Sequence, residues 1–456
     1  MKLKWYTYFT VFLAISLTLL SLKAPGFHSP ESFHISADNE VQAETFARTT
    51  QEKHVSQLTA QVLSTSGYSD FNYMKKDLIE TAKQLTGLPY NRDGSSPEDG
   101  FSTASLTQFV YKEAEGILLS RKAALQKELG TKVKQEDLIA GDLLFFKNKS
   151  GGLMSGIYLG NGDFIIAANS GVGIRNINDD LYWATSFHEA KRLTPLEKEK
   201  LNPETYKDFP NAAIQKAVSM LHRPYLLTGN TLAAFDCSFL VQHAFKDLHI
   251  HLPRITYQQW QLGEEIPLKK AVPGDVLYFS GTWQKGISHT GIYLGDRFFI
   301  HASGEEGETT ISYLGDFWLR YFTGGRRFDN LKIETDKSVV EKAYKLLNIP
   351  YASAGKHPEE GFNYSGLIYF VYKEIDPDFP KKAAKQRQYG KKIEAGEEEP
   401  GDVFFFRSGS NNLLPAIYIG QGQLIAVRQD EGVSIIDPRF SHYWTEDRLE
   451  DIRRYE

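Results

Sequence analysis

The chain has 456 residues, of which 41% are hydrophobic and 13% aromatic. This composition supports packed cores and excludes a disordered or fibrous chain, and the length suggests roughly two to four domains. The formal net charge of −5 argues against a dedicated nucleic-acid-binding protein, because such proteins usually carry a basic balance.

The first residues have the pattern of an export signal. Lysines precede an uncharged, apolar run over residues 5–22, which is typical of a signal sequence. Small residues that suit a cleavage site occur at Ala24 and at residues 41–43, and an uncleaved anchor is the alternative, because a run of about 18 residues nearly spans a bilayer. We therefore assign residues 1–43 to a signal peptide or membrane anchor and residues 44–72 to a spacer. The protein is expected to be extracellular or cell-wall associated, with the membrane contacted only through this N-terminal segment.

Three copies of one unit make up the rest of the chain. Each copy has a helical stretch, a Pro-Tyr turn, a second helical stretch, a Gly-Asp turn and short apolar β-type runs, in that order. The Pro-Tyr pairs are Pro89-Tyr90, Pro224-Tyr225 and Pro350-Tyr351, and the Gly-Asp pairs are Gly141-Asp142, Gly274-Asp275 and Gly401-Asp402. Repeats of this length are whole domains, which we place at residues 73–195, 204–329 and 336–456, with charged linkers between them. Because helices precede strands in each copy, the predicted fold class is α+β, with N-terminal helices packed on an antiparallel sheet.

The middle copy carries a pattern suited to nucleophilic catalysis. Cys237, the only cysteine in the chain, opens a helical stretch in Asp236-Cys237-Ser238, where the helix dipole favours a thiolate. His289 begins a later β-type run and His301 closes the next one, so the two imidazoles can stand side by side on adjacent strands. The pattern predicts a thiol nucleophile, a histidine base and a second histidine that fixes the tautomer of the first. The backbone N–H of Cys237, at the start of the helix, is the predicted oxyanion donor.

The flanking copies lack this chemistry. At the positions of Cys237, His289 and His301 we align Thr103, Met154 and Ala167 in the first copy, and Tyr364, Leu414 and Val427 in the third. A thiolate mechanism needs a thiol and a base, so both flanking domains are predicted to be inert as peptidases.

The ordered motifs of the middle copy resemble the NlpC/p60 family, the papain-like peptidases of bacterial cell walls. The motifs are the Pro224-Tyr225 turn with Gly229, then Asp236-Cys237-Ser238, Leu252-Pro253-Arg254 and Pro273-Gly274-Asp275, and finally His289 with the following Gly-Ile-Tyr-Leu-Gly run and Ile300-His301-Ala302. The resemblance covers about residues 206–328 and, more weakly, both flanking copies. It implies three tandem papain-like domains, of which only the middle one keeps a catalytic triad.

The resemblance also implies an activity and a substrate cleft. A member of this family is a cysteine peptidase that hydrolyses the γ-D-glutamyl bond to a diamino acid in peptidoglycan stem peptides. Tyr225, Asp236 and Ser238 would line the cleft, and the Asp and Ser would help to hold the amino end of the stem peptide. Phe239 stands where the family usually has glycine, so a large ring either reshapes the cleft or repacks the contact with the sheet.

Two of the predicted substrate-binding residues have a second interpretation. Tyr225 has counterparts in the inert copies, so it serves either the turn or the substrate. Arg254 is a candidate to bind a substrate carboxylate as a fork donor, but Arg121 and Lys381 recur at its position, which favours a structural charge.

No cofactor or metal is predicted, because the neighbouring His243, His249 and His251 lack the carboxylate or thiol spacing of a metal site. The leading hypothesis is an exported peptidoglycan endopeptidase. The alternatives are a poly-γ-glutamate hydrolase and a cell-wall-binding protein whose flanking domains are non-catalytic, and a third possibility is that the flanking domains only brace the middle one. The predicted partner is peptidoglycan or a related γ-glutamyl polymer, and not a nucleic acid.

Overall fold

A computed structural model describes residues 77–333, 337–409 and 412–455. The predicted signal segment at residues 1–43 and the spacer at residues 44–72 lie outside the described residues. Within the described ranges, no helix is both long enough and apolar enough to cross a membrane.

The three copies fold as three α+β domains, as predicted. Each has helices packed on a six-stranded antiparallel sheet, and the three sheets share one strand order. When the six strands of each sheet are numbered in chain order, they lie side by side in the order 1-6-2-3-4-5 in all three domains.

The elements of the first domain and of the segment that follows it are α1 (Leu78–Gln84), β1 (Ser95–Ser96), β2 (Gly100–Phe101), α2 (Thr103–Glu115), α3 (Ala123–Gln126), β3 (Thr131–Val133), β4 (Leu143–Lys147), β5 (Leu153–Gly160), β6 (Asp163–Ala168), β7 (Gly171–Asn176), α4 (Leu181–Ser186), β8 (Phe187–Arg192) and α5 (Pro195–Lys200). Those of the second domain are α6 (Ala212–Val218), α7 (Cys237–Lys246), α8 (Thr256–Trp260), β9 (Glu264–Ile266), β10 (Val276–Ser280), β11 (Ile287–Gly295), β12 (Phe298–Ser303), β13 (Glu308–Tyr313), α9 (Asp316–Leu319) and β14 (Phe322–Arg327). Those of the third domain are α10 (Ser338–Lys345), β15 (Lys356–His357), β16 (Gly361–Phe362), α11 (Tyr364–Tyr372), α12 (Ala383–Gln386), β17 (Lys391–Lys392), β18 (Val403–Arg407), β19 (Leu413–Gly420), β20 (Gln423–Arg428), β21 (Gly432–Ile436) and β22 (Leu449–Arg454).

The central helix of each domain begins where a short polar residue caps it. Ser102, Asp236 and Asn363 each have extended backbone, and each side chain accepts the backbone N–H three residues later. Such a cap satisfies one of the N–H groups that a helix start leaves unpaired. The cap therefore fixes Cys237 as the first residue of α7.

The Gly-Asp turns are structural in all three domains. The carboxylate of Asp275 accepts the backbone N–H of Val272 and receives a two-pronged ion pair from Arg327 on the last long strand, at 2.8 Å on each prong. Asp142 and Asp402 make the corresponding bonds with Arg192 and Arg454. The aspartate of each turn thus fastens the start of one strand to the end of another.

The first two domains share one hydrophobic core, whereas the third domain has a separate core. The segment between the first two domains, predicted as a charged linker, is folded: it contains α5 and contributes buried Leu201, and Tyr206 follows it in the same core. Because burial of apolar surface is the main stabilising term in folding, we expect the first two domains to unfold together.

Candidate active site

The sulphur of Cys237 lies between the start of α7 and strand β11. Cys237 is 5% exposed, and the backbone N–H of Thr290 is close enough to the sulphur to favour its charged form. The hydroxyl of Thr256, on α8, is 3.9 Å from the sulphur. The thiol therefore lies close to β11, the strand that carries His289 at the position before Thr290.

The two histidines meet on adjacent strands, as the alternation predicted. His289 on β11 and His301 on β12 are 6% and 0% exposed, and Nε2 of His289 is 2.8 Å from Nδ1 of His301. This bond leaves Nδ1 of His289 as the ring nitrogen available to the thiol.

A third polar residue, Ser312 on β13, continues this line. Its Oγ is 2.9 Å from Nε2 of His301. If the hydroxyl accepts from His301 Nε2–H, then His301 Nδ1 accepts from His289 Nε2–H and His289 Nδ1 keeps its lone pair. With this direction of hydrogen bonding, the three side chains favour the tautomer of His289 that can accept a proton at Nδ1.

Aromatic rings cover the two imidazoles. Trp318 on α9 stacks on His289, with ring centroids 5.3 Å apart and planes 21° apart, and its ring meets His301 at 5.0 Å, nearly edge-on. Phe279 and Phe299 complete the cluster. This packing excludes water from one side of the histidine pair.

Burial keeps the free site in its neutral form. Burial raises the pKa of the Cys237 thiol to about 11, and the nearby Asp236 adds to the increase. Burial likewise lowers the pKa of His289 to about 3, and burial with His289 beside it holds the pKa of His301 well below its usual value. Burial of the thiol therefore acts against the thiolate that the position at a helix start favours.

Asp236, Ser238 and Arg254 form one hydrogen-bonded cluster next to the cysteine. The Arg254 guanidinium donates to both carboxylate oxygens of Asp236, each at 2.9 Å, and to the hydroxyl of Ser238 at 2.9 Å. Arg254 also donates to the carbonyl of Gly229 at 2.5 Å. The geometry favours the structural interpretation of Arg254, because these bonds occupy both terminal nitrogens of the fork.

Tyr225 lies beside this cluster and against the β12–β13 turn. Its backbone N–H donates to the carbonyl of Gly307 at 2.8 Å, and its ring is close enough to Gly304 that a Cβ there would be 3.1 Å away. Burial raises its pKa, and the nearby Cys237 and Asp236 add to the increase. These contacts support the interpretation that Tyr225 stabilises the turn, and its ring also lies near the thiol.

Phe239 packs beside the cleft cluster. Its ring is half-buried, stacks on His243 with centroids 5.7 Å apart, and lies under the guanidinium of Arg254 at 5.8 Å. The third domain has Gly366 at this position, where a Cβ would collide with the Gly355 carbonyl. Phe239 thus supports the arginine that holds Asp236.

The flanking domains carry other residues at the site positions, and one alignment requires correction. Strand β12 pairs with β11 through Ile300 opposite Ile292, and the same pairing places Ile165 opposite Ile157 and Ile425 opposite Ile417. Counting one residue onward, the counterparts of His301 are Ile166 and Ala426. Our alignment of Ala167 and Val427 with His301 was wrong by one residue, although neither domain has a histidine at the corrected position.

The histidines considered as metal candidates are dispersed in packing roles. His243 stacks on Phe239, while His249 and His251 contact the ring of Tyr344 from the third domain. In the ranges that the structure describes, no group of three or more His, Cys, Asp or Glu side chains is placed to hold a metal ion.

Comparison with known proteins identifies the family. A sequence profile described as the NlpC/P60 family matches residues 87–192, 222–327 and 348–453, once in each domain. This chain belongs to the NlpC/P60 family. The predicted resemblance is confirmed, and the three matched ranges correspond to the three sheets.

Several relatives of stated activity are similar to the chain. A γ-DL-glutamyl hydrolase of Bacillus subtilis (strain 168) is 39% identical over 386 residues, which is 82% of this chain and 90% of that protein. The murein DD-endopeptidase MepH of Escherichia coli (strain K12) is 32% identical over 120 residues, covering 25% of this chain and 44% of that protein. Among solved structures, the NlpC/p60 domain of the peptidoglycan hydrolase SagA is 27% identical, covers 26% of this chain and 97% of that chain, and has a TM-score of 0.23.

Proposed function

We propose that this protein is a cysteine hydrolase of γ-glutamyl amide bonds, and that its middle domain performs the chemistry. The observation that carries the proposal is the hydrogen-bonded line of His289, His301 and Ser312, on a sheet whose strand β11 lies close to the thiol of Cys237 at a helix start. The flanking domains have the same fold without this line, so folding alone does not explain it.

In the proposed mechanism, Nδ1 of His289 removes the thiol proton as the sulphur attacks the amide carbon. Because burial raises the pKa of Cys237 and lowers that of His289, we propose that this proton moves during attack rather than before it. His301 and Ser312 hold His289 in the required tautomer and stabilise the imidazolium. His289 then donates the proton to the departing amine, and water hydrolyses the thioester with His289 as base.

The developing oxyanion is proposed to be held by the N–H of Cys237. As the first residue of α7, it has no carbonyl one turn earlier in the helix to accept that N–H. The substrate amino end is proposed to bind the carboxylate of Asp236 through Oδ2. Oδ1 already accepts from Ser238, Phe239 and Arg254, whereas Oδ2 accepts from Arg254 alone among the residues that the structure describes. Tyr225 and Ser238 are proposed as neighbouring walls of this cleft.

The proposed substrate is the peptidoglycan stem peptide, cleaved between D-glutamate and the diamino acid. Family membership and the murein endopeptidase among the relatives support this polymer, whereas the choice of the D-glutamate bond rests on the family resemblance alone. Such a substrate lies outside the membrane, so we also propose that the protein is exported and acts at the cell wall.

A second substrate, poly-γ-glutamate, has a specific observation in its favour. The relative that matches across 82% of this chain is named a γ-DL-glutamyl hydrolase, and poly-γ-glutamate consists of γ-glutamyl bonds throughout. The catalytic steps proposed above are the same for both polymers.

Digestion of defined substrates tests the proposal. The full chain is incubated with purified muropeptides and, separately, with poly-γ-glutamate, and the products are identified by mass. Cleavage on the γ-carboxyl side of glutamate is expected, and Cys237→Ala is expected to abolish it. Failure to cut either polymer would refute the proposed function, while the preferred polymer decides between the two substrates.

A further inference from the structure

A tryptophan-bearing turn occurs at the same place in all three domains. The tryptophans are Trp183, Trp318 and Trp444, each buried against the apolar face of its sheet. In the first domain Asp180 caps the turn, and its carboxylate accepts the N–H groups of Tyr182 and Trp183 at 2.9 and 3.4 Å.

The third domain caps this turn in the same way, also from its own chain segment. The hydroxyl of Ser441 accepts the N–H groups of Tyr443 and Trp444 at 3.2 and 3.0 Å. Such side-chain caps satisfy N–H groups that a helical turn leaves unpaired. Two of the three domains thus hold their tryptophan turn locally.

The middle domain has no local cap, because the equivalent residue is Gly315. Its cap comes from the first domain: Oε1 of Glu128 accepts the N–H of Phe317 at 2.8 Å. The carboxylate occupies the space beside Gly315, so that a Cβ at that position would collide with it. A glycine on one domain and a glutamate on the other are therefore complementary.

The capped turn contacts the proposed catalytic pair directly. Trp318 follows Phe317 and stacks on His289, while its edge contacts His301. A turn that frays would release the indole from His289 and allow the imidazole to rotate away from the thiol.

The same segment of the first domain also holds the strand that carries His301. Beyond β12, the buried carboxylate of Glu306 accepts the backbone N–H of Arg121 at 2.8 Å and the hydroxyl of Ser120 at 2.5 Å. Residues 120–128 therefore hydrogen-bond to the middle domain at two points near the histidine pair. One is Glu306, which follows the strand of His301, and the other is Phe317, which precedes Trp318.

We propose that the first domain is part of the active site of the middle domain, and that Glu128 is a positioning residue for His289. It acts through Phe317 and Trp318, and Gly315 accommodates it. This role rests on the proposed function, because it concerns the base of that reaction. It gives the inert first domain a function that requires no binding of substrate.

A rescue experiment in the full chain tests this coupling. Glu128→Ala is expected to lower kcat about fivefold, the effect of losing one helix cap on the population of the ordered turn. KM should change little, because Glu128 contacts the turn at Phe317 and Gly315, away from Asp236 and its partners. Glu136→Ala, which removes an exposed acid of the same domain, is the matched control and should match the wild type.

The double variant Glu128→Ala/Gly315→Asp supplies a cap from within the middle domain, as Asp180 does in the first. It is expected to regain most of the lost kcat, whereas Gly315→Asp alone should be impaired by collision with Glu128. Equal kcat for Glu128→Ala and the control would overturn the proposal, and so would a loss that Gly315→Asp fails to restore.

The rate at which iodoacetamide alkylates Cys237 gives a second readout that needs no substrate. Glu128→Ala should change this rate and the double variant should return it to the wild-type value, even if the wild type cleaves neither polymer. Unchanged alkylation in Glu128→Ala would refute the coupling, whereas coupled alkylation without hydrolysis would refute only the proposed function.

Discussion

Ser312 offers a sharp test of how the base is oriented. Its hydroxyl is the partner of His301 Nε2, and it is 8% exposed, so water does not easily replace it. In Ser312→Ala, His301 loses the acceptor that favours a proton on Nε2. The imidazole can then carry its proton on Nδ1, which turns the His289 proton towards the thiol and removes the base.

The expected loss follows from the strength of a single neutral hydrogen bond. Such a bond contributes about 0.5–1.5 kcal/mol, which corresponds to a fall in kcat of about twofold to twelvefold. His301→Ala should cost more, because it leaves the buried N–H of His289 without its partner.

The assay is steady-state hydrolysis of the preferred polymer, with Ser312→Thr as the control. Threonine keeps the hydroxyl and suits a strand, so Ser312→Thr should retain most of the activity lost in Ser312→Ala. Thermal unfolding of both variants separates an effect on orientation from a loss of folding. Wild-type kcat in Ser312→Ala, or equal losses in the two variants, would refute this account of the tautomer.

Three further predictions concern the residues around the thiol. Burial raises the pKa of Cys237 to about 11 and lowers that of His289 to about 3, so the rate at which the free enzyme is alkylated should increase with pH through the alkaline range. A rate that is already constant in mild acid, as a thiolate–imidazolium pair gives, would contradict this. Arg254→Lys should raise KM severalfold, since lysine cannot reproduce the fork on Asp236; an unchanged KM in initial-rate measurements would argue against a role for the cluster in substrate binding. Thr256→Ala should lower kcat only about twofold to threefold, because a contact of 3.9 Å to sulphur is weak, and a loss beyond tenfold would show that its hydroxyl does more.

The sequence was sufficient to predict the repeat, the α+β fold and the pairing of His289 with His301. These features follow from local signals: a capping residue before a helix, alternation along strands, and turn glycines. The repeat itself was informative, since three copies show which residues the fold shares and which belong to one copy.

The remaining features depend on tertiary contacts that no local pattern reports. Ser312 reaches His301 only through the register of β13 on β12, and Glu128 meets Phe317 across a separation of 189 residues. The burial that raises the pKa of Cys237 is also a tertiary feature, because the sequence shows the helix start and not the depth of the thiol. A signal for Glu128 did exist: Gly315 breaks the pattern of capping residues at Asp180 and Ser441.

The central claim is that one thiol in the middle domain performs all of the hydrolysis. The most direct measurement is titration of the full chain with iodoacetamide at alkaline pH, with adducts counted by intact mass and residual hydrolysis measured in parallel. Because Cys237 is the only cysteine, we expect one adduct per chain and a loss of activity in proportion to it. A fully alkylated protein that still hydrolyses its substrate would contradict the claim.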